Sequence, residues 1–320
     1  MSQLRAVILT PPAAGPDRPD IADTFIQADQ IATCLRNLGH RALQTSYAPA
    51  REANIAKLES LEPDFVFNLV EDLPAGPDRL AEVTHLLDDM GVPYTGAPSA
   101  ALEALSDKTD MKRKLMAEGL PVPADIAGTD PDSRYIVKSA VEHASLGLDA
   151  TSVVTGAAEA IALLEANQNR YGGRWYAEAF VEGREFAVAL LETERGVVAL
   201  PVSEIRFADD HPGPHIVGYA EKWDTTSAAY LTTPRVFPRS ADDAPLLAEL
   251  KRLALAAWPV FGLRGYARVD FRVDATGQPY MLEVNANPCL SANAGFCASA
   301  AQIGLSQTHV VENIVSAAFR

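Results

Sequence analysis

The sequence predicts an α/β fold, α+β when the whole chain is counted. Three observations carry this. The first 95 residues alternate short apolar runs with amphipathic segments that stop at glycine. The middle and end of the chain are richer in strands. The chain closes toward its C-terminus with a period-two hairpin, "RVDFRVDATGQPYMLEVNANP", from Arg268 to Pro288. Strand–helix alternation is the mark of layered α/β architecture, and strict alternation of apolar and polar residues marks a half-buried strand.

"RAVIL" is a strand, and "DTFIQADQIATCLRNLG" is an amphipathic helix ended by Gly39. "DFVFNLV" is a second strand, and "RLAEVTHLLDDMG" is a helix ended by Gly91. Glycine ends helices because it accepts the left-handed backbone there at no steric cost. "SDKTDMKRKLMAEGLPVP" reads as a helix capped by Ser106 and closed by Gly119, Pro121 and Pro123. "YIVKSA" is a strand, "VEHASLGLDATSVV" a loop and "AAEAIALLEANQ" a helix. "RWYAEAFVEGREFAVALLE" holds two strands, and "VVALPVSEI" continues the sheet. A polar loop around "HPGPHIVGYAEKWD" and the helix "ADDAPLLAELKRLALAAW" lead to the hairpin.

Composition bounds the function. With 48% hydrophobic and 22% charged residues, this is an ordinary globular chain, and 320 residues imply two or three domains. A net charge of −15 argues against a non-specific grip on nucleic acid or on an anionic membrane. No apolar run reaches membrane-spanning length. The start, "MSQLRAVILTPPAAG", reads as a strand and loop rather than a signal peptide. Three cysteines, Cys34, Cys289 and Cys297, are too few and odd for a disulfide framework, so a reducing cytoplasm is expected.

The hairpin carries the chemistry. Val269, Phe271 and Val273 alternate with Arg268, Asp270 and Arg272. A two-residue turn at Thr276-Gly277 would set Asp270 opposite Glu283 and Arg268 opposite Asn285. Opposed side chains sit with Cβ atoms about 5 Å apart, where like charges repel. Two carboxylates and an amide held so suit a hard cation such as Mg²⁺. The same pattern also fits a solvated polar face on a surface hairpin. Lys138 lies mid-strand beside an apolar run, where its charge needs a partner or a route to solvent. The loop Glu142-His143-Ala144-Ser145 can turn backbone N–H groups toward a phosphate, though it is not a Walker A motif. Taken alone, Glu178 and Glu185 are ordinary strand residues. His211 and His215 lack further zinc ligands nearby and read as loop residues. Cys289 and Cys297 read as small packing residues.

In combination, "SDK", "YIVK", the small-residue loop, "AEAFVEGREF", "GYARVDF" and "MLEVNANP" resemble the ATP-grasp ligases, closest to the D-alanine–D-alanine ligase group. The likeness runs from about Gly91 to the C-terminus and is strongest over residues 262–288. In the N-terminal third, only the general α/β pattern and "GVPYTG" match. The resemblance implies an ATP-grasp fold behind an N-terminal Rossmann-like α/β domain. Residues 1–95 would form that domain, 96–182 the central subdomain and 183–320 the C-terminal subdomain with the metal hairpin.

The resemblance also implies residue roles. Asp270, Glu283 and Asn285 would be Mg²⁺ ligands, with Mn²⁺ able to substitute. Lys108 and Lys138 would reach the phosphates and the adenine side of ATP, and Ser145 would lie in the loop over the phosphates. Glu178 would begin a hinge that reads adenine through Phe180 and Val181. Glu185 would hold the ribose, Lys222 would close over the phosphates on a mobile loop, and Arg268 would stabilise an oxyanion. The implied reaction joins a carboxylic acid and an amine, both expected to be amino acids, through an acyl phosphate with release of ADP. Relatives commonly form homodimers through the N-terminal region, where "FVFNLV" with its neighbouring helices would supply an apolar face.

Two other readings stand beside this one: a nucleotide-binding ATP-grasp protein without turnover, and an unrelated dinucleotide-binding oxidoreductase. The absence of G-x-G-x-x-G after the first strand counts against the latter. The chain also departs from the D-alanine–D-alanine ligase pattern. Its small-residue loop lacks one serine, Trp223 follows Lys222 where tyrosine is usual, and Ala294 replaces a serine. The first 51 residues contain no glutamate to meet an amino group, so Asp20 or Asp23 would have to serve. These departures imply a substrate pair other than two D-alanines, with a true D-alanine–D-alanine ligase as the alternative.

Overall fold

The computed structural model describes residues 3–13, 18–73, 76, 79–141, 147–211, 213–218, 221–222 and 227–320, with Asp20 described in its backbone only. Three sheets organise the described residues. The first is parallel, with β1 (Arg5–Thr10) between β2 (Arg41–Ser46) and β3 (Phe65–Asn68). Helices Pro19–Asn37 and Arg51–Leu61 make the crossovers. β1 and β3 are almost wholly buried, as expected of a parallel sheet covered on both faces. Neither β2 nor helix Arg51–Leu61 announces itself in the sequence. β2 is half-exposed, and the helix buries only Asn54 and Leu58, so neither shows an apolar run or stripe.

The second sheet is antiparallel, β5 (Val153–Thr155), β4 (Arg134–Ser139) and β6 (Trp175–Ala179) in that order. Helix Ala157–Tyr171 covers one face, packing Ala160 on Tyr135, Val137 and Ala177. The third sheet runs β10 (Arg235–Val236), β9 (Ser203–Ile205), β7 (Arg184–Thr193), β11 (Tyr266–Val273), β12 (Pro279–Asn285), with β8 (Gly196–Ala199) also on β7. Helix Ala244–Phe261 buries Leu250, Leu253, Ala257 and Phe261 against Val188, Leu190, Val269 and Phe271. The other face is divided: Ala189, Leu191 and Tyr266 pack into a second core, and the rest of that face of β7, β11 and β12 carries charged residues.

Four sequence expectations need correction. Helix Lys108–Ala117 is capped by Asp107, whose carboxylate accepts from Thr109 N and Asp110 N; Ser106 instead ends the preceding helix, Ser99–Leu105. The hairpin turn is longer than two residues. Asp274 N donates to Gln278 O, the Asp274 carboxylate accepts from Thr276 N and Gln278 N, and Gly277 takes φ +86°. A β-bulge between Asp270 and Phe271 then restores the expected pairing, so Asp270 does face Glu283 and Arg268 does face Asn285. The extra residue, Leu282, also breaks the alternation expected along β12, where Met281 and Val284 are both buried. Finally, "FVFNLV" itself supplies no free apolar face, so any such face belongs to its neighbouring helices. Phe65, Val66, Phe67, Leu69 and Val70 are all at most 3% exposed, packed inside the subunit.

Part of that packing reaches the far end of the chain. Ala6, Ile8, Phe65 and Phe67 share one core with Tyr266, Leu290, Phe296, Val310 and Ile314. The first sheet is thereby fixed against the motif that follows β12.

Candidate active site

Two groups of charged side chains face each other across the second and third sheets. The first group is buried. Lys138 on β4 and Glu178 on β6 lie on one face, and Lys138 Nζ is 2.6 Å from Glu178 Oε1. Lys112, one helical turn after Lys108, sits on the other oxygen of Glu178. Glu178 is only 2% exposed, and both lysines lie over the ring of Tyr176, with Nζ 5.2 and 5.8 Å from its centroid. Two ammonium groups thus share one carboxylate out of water. Burial, with Lys138 and Lys108 nearby, holds Lys112 well below the usual lysine range. Burial and Lys108 push Lys138 down to about 8.

A pH dependence follows. Between about 8 and its ordinary 10.5, the unfolded Lys138 binds a proton that the folded one does not. Its burial therefore opposes folding fully below about 8, and that opposition fades as pH rises toward 10.5. The melting temperature of wild type, measured relative to Lys138→Met, should rise from pH 8 to pH 10. A difference constant across that window contradicts the assignment.

The second group is the hairpin face. Arg268 grips Asp270 with two bonds, Nε to Oδ1 at 2.7 Å and Nη2 to Oδ2 at 2.8 Å. Lys108 Nζ is 3.7 Å from Glu283 Oε1. Asn285 Oδ1 accepts from Asn287 N at 2.8 Å. The repulsion between Asp270 and Glu283 is thus offset by Arg268 on the first and Lys108 on the second. Lys222 belongs to the same cluster. Burial and Arg268 depress its pKa, while Glu283, Asp270 and Glu185 oppose the shift. Glu185 stands opposite Arg272 across β7 and β11, and Arg272 Nε is 3.2 Å from its Oε2. Burial raises the Glu185 pKa, and Arg272 pulls it back.

Phe180 and Val181 connect the two sheets. The Phe180 N–H donates to Arg134 O at 2.9 Å. Beside this hinge is a cavity of about 410 Å³ lined by Arg134, Phe180, Glu182, Gly183, Gly213, Pro214 and His215.

The structure therefore brings together Lys108, Lys138, Glu178, Glu185, Lys222, Arg268, Asp270, Glu283 and Asn285, with the hinge adjacent. Ser145, with the rest of its loop, and Trp223 lie outside the described residues. The Glu178 side chain faces the lysines. Two further residues of the site, Lys112 and Arg272, do not stand out in the sequence. Their only signals were position: four residues after Lys108 on a helix, and two after Asp270 on a strand.

Beyond the hairpin, Asp23 Oδ2 accepts from Cys289 Sγ at 3.1 Å and from Ser291 Oγ at 3.2 Å. One of the two candidate acids near the N-terminus thus meets the motif that follows β12. Burial, reinforced by Asp23, pushes the Cys289 thiol up to about 12, which leaves it a poor nucleophile. His211 Nδ1 lies 2.9 Å from Thr232 Oγ1, and His215 stacks on Phe207 with centroids 4.8 Å apart.

The family described as D-ala D-ala ligase C-terminus matches residues 133–316. A D-alanine–D-alanine ligase of Laribacter hongkongensis is 33% identical over 242 residues, covering 72% of this chain and 72% of that protein. An uncharacterized protein of Sinorhizobium fredii is 28% identical over 309 residues, 92% of this chain and 87% of its own. In fold, the chain is similar to D-alanine–D-alanine ligase from Bacillus anthracis, crystallised in complex with ATP. That match has a TM-score of 0.76 and 18% identity, and it covers 99% of this chain and 98% of the other. A family match that runs from the start of β4 into the last helix, joined to this identity over more than two thirds of the chain, means that the protein belongs to the D-alanine–D-alanine ligase group of the ATP-grasp superfamily.

Proposed function

We propose that this chain is an ATP-dependent carboxylate–amine ligase that forms an amide or peptide bond through an acyl phosphate, on a substrate pair other than two D-alanines. One observation carries the reading: the oxygen donors of the hairpin lie among cations from helix Lys108–Ala117, from β4 and from the segment that holds Lys222. Among the described residues, Lys108, Lys112, Lys138, Lys222, Arg268 and Arg272 outnumber Glu178, Glu185, Asp270 and Glu283 there. Such a cluster suits a polyanion such as a nucleoside triphosphate.

Asp270, Glu283 and Asn285 are all oxygen donors on one face, which fits Mg²⁺ or Mn²⁺. When bound, the metal would neutralise phosphate charge and align the reacting oxygens. The protein's own residues do the rest. Lys108 and Lys138 reach the phosphates and the base side of ATP, and Lys222 approaches from the third sheet's loop. With the Phe180 N–H already bonded to Arg134, the base would meet the Phe180 carbonyl and the Val181 N–H. Glu185 takes the ribose. An oxygen of the acid attacks the γ-phosphorus, the bond to the ADP oxygen breaks, and an acyl phosphate forms. The amine nitrogen then attacks the acyl carbon and loses a proton, and phosphate leaves. Arg268 donates toward the oxyanion of that second step, where a positioned donor typically contributes about 10²–10³-fold. Because Arg268 also grips Asp270, the oxyanion donor and a metal ligand hold each other in place.

Asp23, on a shorter stem than glutamate, and Ala294, without a hydroxyl, support a changed substrate pair. Each lost buried hydrogen-bond partner costs about 1–3 kcal/mol, so two or more losses change which substrate fits. The test is ADP release by purified protein over a panel of acids and amines. Release should require one of each, and D-alanyl-D-alanine should not be the best product. ADP release without either substrate would overturn the ligase reading, and D-alanyl-D-alanine as the best product would overturn the substrate reading alone.

A further inference from the structure

We infer that Arg272 is a positioning residue of the nucleotide site, which aims Glu185 at the ribose hydroxyls and locks it to the hinge. The inference rests on the proposed role of Glu185 and adds a residue to it.

Arg272 is 3% exposed, deep for an arginine on a face that otherwise carries the reacting groups. It stands directly opposite Glu185 in the β7–β11 register. Its Nε is 3.2 Å from Glu185 Oε2, and its Nη1 donates to Gly183 O at 2.9 Å. Gly183 lies between the hinge residue Val181 and Glu185, so one guanidinium spans both. Gly183 itself is pressed onto β11: a Cβ there would come within 2.0 Å of Val273 O, at φ +143°. The guanidinium also has aromatic rings beside it, 5.6 Å from the Phe180 centroid and 5.5 Å from that of Phe207. Phe180 belongs to the hinge and lines the cavity, while Phe207 precedes the loop that carries Lys222.

A planar fork that donates in two directions and stacks on rings is arginine chemistry, which lysine's point charge does not reproduce. A buried ion pair alone is a weak source of stability. What this one does achieve is geometric. With one oxygen of Glu185 held by Arg272 and the backbone two residues earlier held by the same group, the carboxylate has a single orientation relative to the hinge. A nucleotide that places its base on the hinge then finds the acid at a set distance from its ribose.

The test is equilibrium binding of ATP, 2′-deoxy-ATP and 3′-deoxy-ATP, each with Mg²⁺, to the full chain by calorimetry. Wild type should prefer ATP over at least one deoxy form by about tenfold, the loss of one hydrogen bond to a charged group. Arg272→Met should melt as a folded protein, bind ATP more weakly and lose that preference. Arg272→Lys should recover part of the affinity but little of the preference. Glu185→Gln should lose the preference by itself, and adding Arg272→Met to it should cost little more, because the two act as one unit. A folded Arg272→Met that still prefers ATP as wild type does would overturn the inference. So would additive effects in the double variant. If wild type and Glu185→Gln bind all three nucleotides alike, the ribose role of Glu185 is wrong and this inference falls with it.

Discussion

Asp270→Asn and Glu283→Gln should each cut phosphate release by roughly 10³-fold, equivalent to about 4 kcal/mol of lost transition-state stabilisation. The fold should survive both. The two side chains are 20% and 16% exposed and sit on the polar face of β11 and β12, away from the core. Glu283→Gln also relieves repulsion with Asp270 across the strands, while Asp270→Asn leaves Arg268 with a weaker partner. Each amide keeps the size of the carboxylate it replaces and can still accept a hydrogen bond, so both variants should remain folded. Steady-state phosphate release with a responsive acid and amine checks the first claim, and thermal melting checks the second. Near-normal turnover in either variant would end the assignment of this hairpin as the metal face.

The second large effect concerns stability. Glu178→Leu should cost about 3–5 kcal/mol in urea denaturation, because it strips the carboxylate from two buried lysines. Glu178 is 2% exposed at its side chain, Lys112 8% and Lys138 16%, so water cannot readily replace the lost partner. Adding Lys112→Met should restore much of the loss, since replacing a buried pair with apolar groups is often close to neutral. Lys138, the more exposed lysine, can then find solvent. A Glu178→Leu protein within about 1 kcal/mol of wild type would show that the lysines are already neutral and need no counter-charge.

Much of the site was legible in the residues, but not always for the right reason. Asp270 opposite Glu283 followed from period two and a two-residue turn. The real turn is longer, and the bulge at Asp270/Phe271 cancels the offset. A bulge has no sequence signature of its own here, because it is set by how β11 lies between β7 and β12. Lys138 was conspicuous because a lysine in an apolar strand needs a partner, and Glu178 is that partner. Lys112 was not, since "KTDMKRKL" offers several cations on one short helix and nothing local says which face is buried. Arg272 occupied a position that alternation assigns to the polar side, where arginine is unremarkable until β7 brings Glu185 opposite.

By itself, then, the sequence determined the α/β class, the order of most elements, the period-two hairpin and the family, because these depend on neighbours along the chain. Local steric and hydrophobic preferences act over a few residues and leave their pattern there. Tertiary structure alone decided the buried Lys112–Glu178–Lys138 group, the Arg272–Glu185 pair and the meeting of Asp23 with Cys289 and Ser291. Each joins residues from separate elements, and the last joins residues more than 260 positions apart. Burial sets the pairing of such charges and their pKa values, and burial is a property of the packed molecule.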